Sequence, residues 1–290
     1  MTQEVQRRRL SLITDFIIFL IFTLIVICVL KIFGMTDNVY GNQSSDDSAA
    51  LISDSDENID DQNKMYIAKI KKDYGIIIQY GDNVKSFTDK VDANPQYDIY
   101  ILNNNLKKIN EALKKYPSDL FDIFKSGNYP MYMIVVDSFN NDNIALASRN
   151  KLNEFRMYVS NSEKFERALH HEMFHILEYY MTINNSNIFF AWDNLNPVGF
   201  KYNSDTSKLN KDYVYSDDSI DNSNSYFVTR YSKASEKEDR AEVFAELMTM
   251  NKKAQYLTKG EKLRYKVDSI MNTINSNITD EEFYCDKYLK

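Results

Sequence analysis

The chain has 290 residues, a length that suits one domain or two small ones. Hydrophobic residues make up 43% and charged residues 27%, the balance of a folded globular protein rather than a disordered one. The net charge of -7 is uneven: residues 1–34 are basic, 35–62 hold all-acidic charge, and the remainder is close to neutral, which gives no support for the basic face that a nucleic-acid partner needs.

In chain order, Arg7, Arg8 and Arg9 precede an apolar run from Phe16 to Leu30. Residues 10–33 are long enough to cross a hydrocarbon core, and no small-residue cleavage site follows at Lys31-Ile32-Phe33-Gly34-Met35. An uncleaved transmembrane signal anchor is expected, with residues 1–9 cytoplasmic by the positive-inside rule and the remainder outside the cell. Residues 34–62 are rich in Ser, Asp and Asn with no periodic apolar pattern, and predict an acidic disordered linker. Cys28, inside the apolar run, and Cys285, near the other end, give no disulfide framework.

From about residue 63 the pattern is globular. β-branched and aromatic content predicts strands at 74–80, 97–102, 131–136 and 154–160. Helices are expected at 106–115, before Pro117, and at 119–125, before Gly127. A longer helix is expected over 163–181 with Ser162 as its N-cap, then a polar loop from 184 to about 234, then two or more helices. Strands first and helices later is an α+β order.

The long helix carries His171-Glu172-Met173-Phe174-His175, an H-E-x-x-H motif. Residues i and i+4 share a helix face, so the two imidazoles can converge on one ion, while Glu172, rotated by about 100°, can reach a water instead. The flanking Phe165, Ala168, Leu169, Ile176 and Tyr180 keep helical periodicity, which weighs against two chance histidines. A catalytic zinc needs a third protein ligand and an open position. The chain has only three histidines. His170 points off the shared face and suits a packed role, and with no histidine downstream the third ligand is expected to be a carboxylate. Glu178 shares the face but lies roughly 4.5 Å along the axis beyond His175. A glutamate from a second helix closes a compact site more easily.

Ser235-Glu236-Lys237-Glu238 has the form of a capping box and opens that second helix. Ala241, Phe244, Ala245 and Met248 form its apolar stripe, bordered by a column of Glu238, Glu242 and Glu246. Glu238 suits a helix-start carboxylate favoured by the dipole. Glu242 and Glu246 lie further in, where acids need partners.

The HHEMFH segment and Glu238-Asp239-Arg240-Ala241-Glu242-Val243-Phe244-Ala245-Glu246 resemble the peptidase domain of anthrax lethal factor and the bacterial zinc-binding metallopeptidases and, more distantly, the Pro-Pro endopeptidases. This resemblance implies a zincin-like fold, a mixed sheet packed on the H-E-x-x-H helix with a helical C-terminal part. It implies one zinc per chain held by His171, His175 and Glu242, with Glu246 supporting from one turn on, and Tyr231 near the metal. Trp192-Asp193-Asn194-Leu195-Asn196-Pro197-Val198-Gly199-Phe200-Lys201-Tyr202 resembles a segment that recurs in such peptidases, without an evident chemical role. The expected activity is that of a gluzincin-type zinc endopeptidase at the outer membrane face, acting on peptide or protein substrates. Glu172 is expected to act as general base and Tyr231 as donor to the oxyanion, with the strand before the active helix receiving the substrate as an added strand. The alternative is a surface domain that keeps a silent zinc; Glu172 argues against it, because a structural site needs no general base.

Overall fold

The computed structural model describes residues 47–84, 91–141, 143–149, 153–205, 225–249, 261–279 and 283. The expected anchor, the linker up to residue 46, Cys28 and Cys285 lie outside the described residues. Among those described, no helix is long and apolar enough to cross a membrane. The chain divides into two units, Met1–Ser55 and Asp56–Lys290, and the site lies within the second.

A mixed sheet organises this second unit. Strands β1 (Ile76–Gln79), β3 (Met131–Phe139) and β5 (Phe155–Ser160) run parallel in that spatial order, and β4 (Ala145–Arg149) lies antiparallel along the outer side of β5. A short β2 (Ala93–Pro95) pairs antiparallel with the far end of β3. Alternation along β3 divides its side chains between two cores: Met131, Met133 and Val135 face the larger, Ile134 and Val136 the smaller.

The larger core lies between the sheet and the helices. These are α1 (Asp47–Tyr74), α2 (Ile99–Leu113), α3 (Asp122–Lys125), α4 (Phe165–Asn184), α5 (Glu236–Thr249) and α6 (Glu261–Asn277). Ile70, Leu106, Phe174, Phe244 and Ile270 from five of them meet there, each fully buried. α4 packs against β4 and β5 on one side and against α5 on the other.

Three expected strands are present as β1, β3 and β5. The expected strand at 97–102 is instead the start of α2. Asp98 caps that helix, its carboxylate accepting the Tyr100 and Ile101 N–H groups at 2.9 and 3.0 Å. Leu102, Leu106, Ile109 and Leu113 then bury one helical stripe, and this burial overrides the β propensity of Tyr100 and Ile101. α1 begins at Asp47, inside the stretch expected as a linker. Ser162 does not cap α4 directly; it forms the turn before the helix, its hydroxyl accepting the Lys164 N–H and its carbonyl the Phe165 N–H, both at 3.2 Å.

Candidate metal centre

α4 brings His171 and His175 together on the face it turns to α5. Their rings stand 4.9 Å apart between centroids and nearly perpendicular, and both side chains are buried. Into the same space α5 sends Glu238 from its first turn. Glu238 Oε2 lies 3.0 Å from His171 Nε2 and 3.5 Å from His175 Nε2. Among the described residues these three form a group whose ligand atoms all lie within 4.8 Å of one another. Donors on a tetrahedral zinc, about 2.0–2.1 Å from the ion, stand roughly 3.3 Å apart. The carboxylate therefore sits where a third ligand would, and two imidazoles with one carboxylate are a donor set that zinc accepts.

Glu242, expected as the third ligand, takes a different place. Its Oε1 meets His171 Nδ1 at 2.9 Å, on the far side of the ring from Glu238. Arg167 grips the same carboxylate with both ends of its guanidinium, at 3.0 and 2.8 Å, and the Thr229 hydroxyl donates to it at 2.6 Å. A carboxylate held ionised by Arg167 can only accept, so it draws the proton of a neutral His171 to Nδ1. In that neutral form the Nε2 lone pair would be left for an ion beside Glu238 and His175, whereas without one Nε2 hydrogen-bonds Glu238 at 3.0 Å. Glu246 does not touch a histidine; it receives Arg167 Nε at 3.4 Å and so stands one residue further from the centre.

The capping box explains the difference. Ser235 Oγ accepts the Glu238 N–H at 3.2 Å, as such a box requires. The Glu238 side chain, however, is drawn to the two imidazoles rather than back to the helix start. The pattern identified the helix boundary but not that Glu238 joins the two imidazoles. Arg167 is the functional residue that pattern reading passed over. It lies one turn before His171 on the same face, where a cation needs an acid.

The remaining candidates also find definite places. Glu178 is buried and paired with Arg240, Oε1 to Nη2 at 2.7 Å, which takes it out of contention as a ligand. His170 is fully buried with Nδ1 at 2.6 Å from the Tyr116 hydroxyl, a packed histidine as expected. Glu172 is half-buried, and its Oε2 accepts the Ala147 N–H of β4 at 2.6 Å. Tyr231 is half exposed, its ring 6.0 Å from that of His171. Glu172, Tyr231, Glu238 and both histidines line one open cleft of about 650 Å³, with the edge strand β4 along its rim.

Electrostatics mark this as a place for a cation. Burial pushes His171 down, but the hydrogen bonds to Glu238 and Glu242 outweigh it and lift the imidazole to about 9. Burial pushes Glu242 up, but His171 and Arg167 hold it down at about 2. Glu238 is likewise held below the carboxylate range, with His171 and His175 outweighing its burial. Glu172 is raised, because burial exceeds the pull of the histidines and the Ala147 N–H. A proton gathers where the acids have focused negative charge, and a divalent ion bound to the Nε2 atoms answers the same field more fully.

The fold has a solved counterpart. It matches the crystal structure of a "putative zinc-binding metallo-peptidase from Bacteroides caccae", with a TM-score of 0.51 and 15% identity, over 80% of this chain and 92% of that one. At such identity the likeness shows the fold. No protein-family model matches the sequence, and no curated protein does. The resemblance to lethal factor rests on the sequence motif.

The two carboxylates can be told apart by metal titration. Glu238→Gln should abolish stoichiometric zinc binding, measured by competition with a chromophoric chelator, whereas Glu242→Gln should keep one zinc and weaken it about 10–100-fold. The opposite ranking would return Glu242 to the ligand position.

Proposed function

We propose that this chain is a zinc-dependent endopeptidase of the zincin-like type, with His171, His175 and Glu238 as the metal ligands. The observation that carries it is the convergence of two Nε2 atoms and one carboxylate oxygen in an open cleft that Glu172 also lines. The solved counterpart, itself described as zinc-binding, supports the same direction. A zinc ion held there would polarise the scissile carbonyl and lower the pKa of a bound water to about 7.

The chain's own residues supply the rest. Glu172 takes the proton of the attacking water and hands it to the leaving amine; the Ala147 N–H fixes one carboxylate oxygen and leaves the other to act. Tyr231 donates to the developing oxyanion. Burial and the neighbouring acids, chiefly Glu238, push its hydroxyl up to about 12, so the proton needed for donation stays in place at neutral pH.

Substrate would align along β4. The strand expected to receive it, β5, is paired on both sides, by β3 and β4, and has no free edge. Among the described residues, β4 is paired only to β5. Its Ile144 carbonyl accepts the Ser160 N–H of β5, so by the two-residue alternation Ala145 and Ala147 turn their backbone groups away from the sheet. Ala147 is used by Glu172, and Ala145 is the position that would pair with a peptide backbone.

Cleavage of a proteome-derived peptide library by the full-length chain, lost with a chelator and restored by zinc, is the expected result. A chain that binds zinc but cleaves nothing would instead be a silent surface domain. Glu172→Gln should keep its zinc and lose turnover, and Tyr231→Phe should lower kcat and kcat/KM together by about 10²-fold with zinc intact. A change in KM alone would make Tyr231 a binding residue. Ala145→Pro removes one outward N–H at an edge position that tolerates proline, and should raise KM about 2–10-fold with zinc and kcat unchanged. The proposed setting is the outer membrane face, with residues 10–33 as anchor. It predicts that washed membranes retain the protein and that external protease reaches 63–290, whereas a soluble secreted form starting near Met35 would sink the anchor.

A further inference from the structure

We infer that the segment from Trp192 to Tyr202, together with Asp239 and Lys266, is a positioning device for Glu238; the inference rests on the metal centre proposed above. Asp239 is adjacent to Glu238 on α5 and fully buried. Its Oδ2 accepts three hydrogen bonds at once: from Lys266 Nζ of α6 at 2.6 Å, from the Tyr202 hydroxyl at 2.8 Å and from Trp192 Nε1 at 3.1 Å. Asn196 donates to the Tyr202 oxygen at 2.8 Å, which fixes the direction of the hydroxyl proton toward Asp239. Lys266 is also fully buried, also donates to the Tyr226 carbonyl at 2.8 Å, and sits 4.2 Å over the Phe227 ring.

Successive residues of a helix leave it about 100° apart. Glu238 leaves toward the imidazoles, Asp239 toward Trp192, Tyr202 and Lys266, and Arg240 toward Glu178 on α4, with its guanidinium 4.6 Å over Phe189. Three consecutive side chains held in three directions set the first turn's rotation and height. A small rotation would carry the Glu238 carboxylate away from one Nε2 or the other. Just after the segment, the Asn203 N–H bonds the Lys233 carbonyl at 3.0 Å, two residues after the cleft-lining Tyr231. A merely structural brace would stabilise the fold; a positioning device also sets the geometry of the ligand.

The test uses the full-length chain in detergent. Tyr202→Phe removes one donor to Asp239 without changing ring shape, and Asp239→Asn keeps shape while removing the charge. Three quantities are read: zinc affinity by competition, the visible absorption of the cobalt(II)-loaded protein, and the Tm of the metal-free form. Tyr202→Phe should raise the zinc Kd about 10-fold and alter the cobalt spectrum, with metal-free Tm lowered by only about 2–4 °C, and Asp239→Asn should exceed it in all three. Wild-type zinc affinity and cobalt spectrum in Tyr202→Phe overturn the inference, whatever the Tm does and even if Asp239→Asn fails to fold. Wild-type protein that binds neither zinc nor cobalt overturns the proposed function as well, and so distinguishes the two failures.

Discussion

Two helices meet with their charges interleaved, and the site is what lies between. Along α4 come Arg167, His171, His175 and Glu178; against them α5 sets Glu242, Glu238 and Arg240. From Arg167 to His175 the pairing runs antiparallel, Arg167 meeting Glu242 and His175 meeting Glu238, while Glu178 takes Arg240, which leaves α5 in another direction. The Arg167–Glu242 and Arg240–Glu178 pairs fasten the contact on either side of the imidazoles, and the rings of Phe174 and Phe244 pack 5.2 Å apart in the same contact. Glu178 and Arg240 are both buried, so removing one of them would cost about 3–5 kcal/mol, and neither helix can slide past the other cheaply. The proposed metal centre would inherit its geometry from that constraint.

The same ladder accounts for which acid does what. Glu238, Glu242 and Glu246 share one face of α5, and periodicity treats them alike. Their difference lies in height relative to α4, a tertiary quantity that the spacing within α5 does not contain. Arg167 sets that height by taking Glu242 with two hydrogen bonds and Glu246 with a third, which leaves Glu238 level with the Nε2 atoms. The pair of histidines, the glutamate between them, the second helix and its acidic column were all legible in the sequence, because each is local. The choice among the three acids was not, although an arginine one turn before His171 was a usable signal that an acid would be drawn there.

The fold shows the same division. β1, β3 and β5 announce themselves because buried parallel strands are rich in β-branched and aromatic residues. β4, Ala145 to Arg149, carries two alanines and a serine, lies at the edge and is paired on one side only, so little in its composition marks it. Tyr97 to Leu102 erred in the opposite direction: strand-forming residues were recruited into a helix by the Asp98 cap and a buried leucine stripe. In both cases the deciding term is tertiary burial, which the residues in question do not carry by themselves.

The strand that composition hid connects recognition to chemistry. Ala145 and Ala147 lie two residues apart on one edge, about 6.8 Å along the strand. Ala147 holds the Glu172 carboxylate, while the backbone groups of Ala145 face the cleft. A peptide that pairs with Ala145 would therefore be registered against the same strand that holds Glu172, the proposed base. A slip of one residue in a β ladder turns the wrong backbone groups toward the edge, and a slip of two moves the peptide by that whole 6.8 Å. On the proposed reading, the carbonyl presented to Glu172 and Tyr231 would be selected by backbone register rather than by contacts to the reacting bond. Cleavage position would then be set by pairing along β4, and side-chain preference by whatever the cleft offers to either side of it.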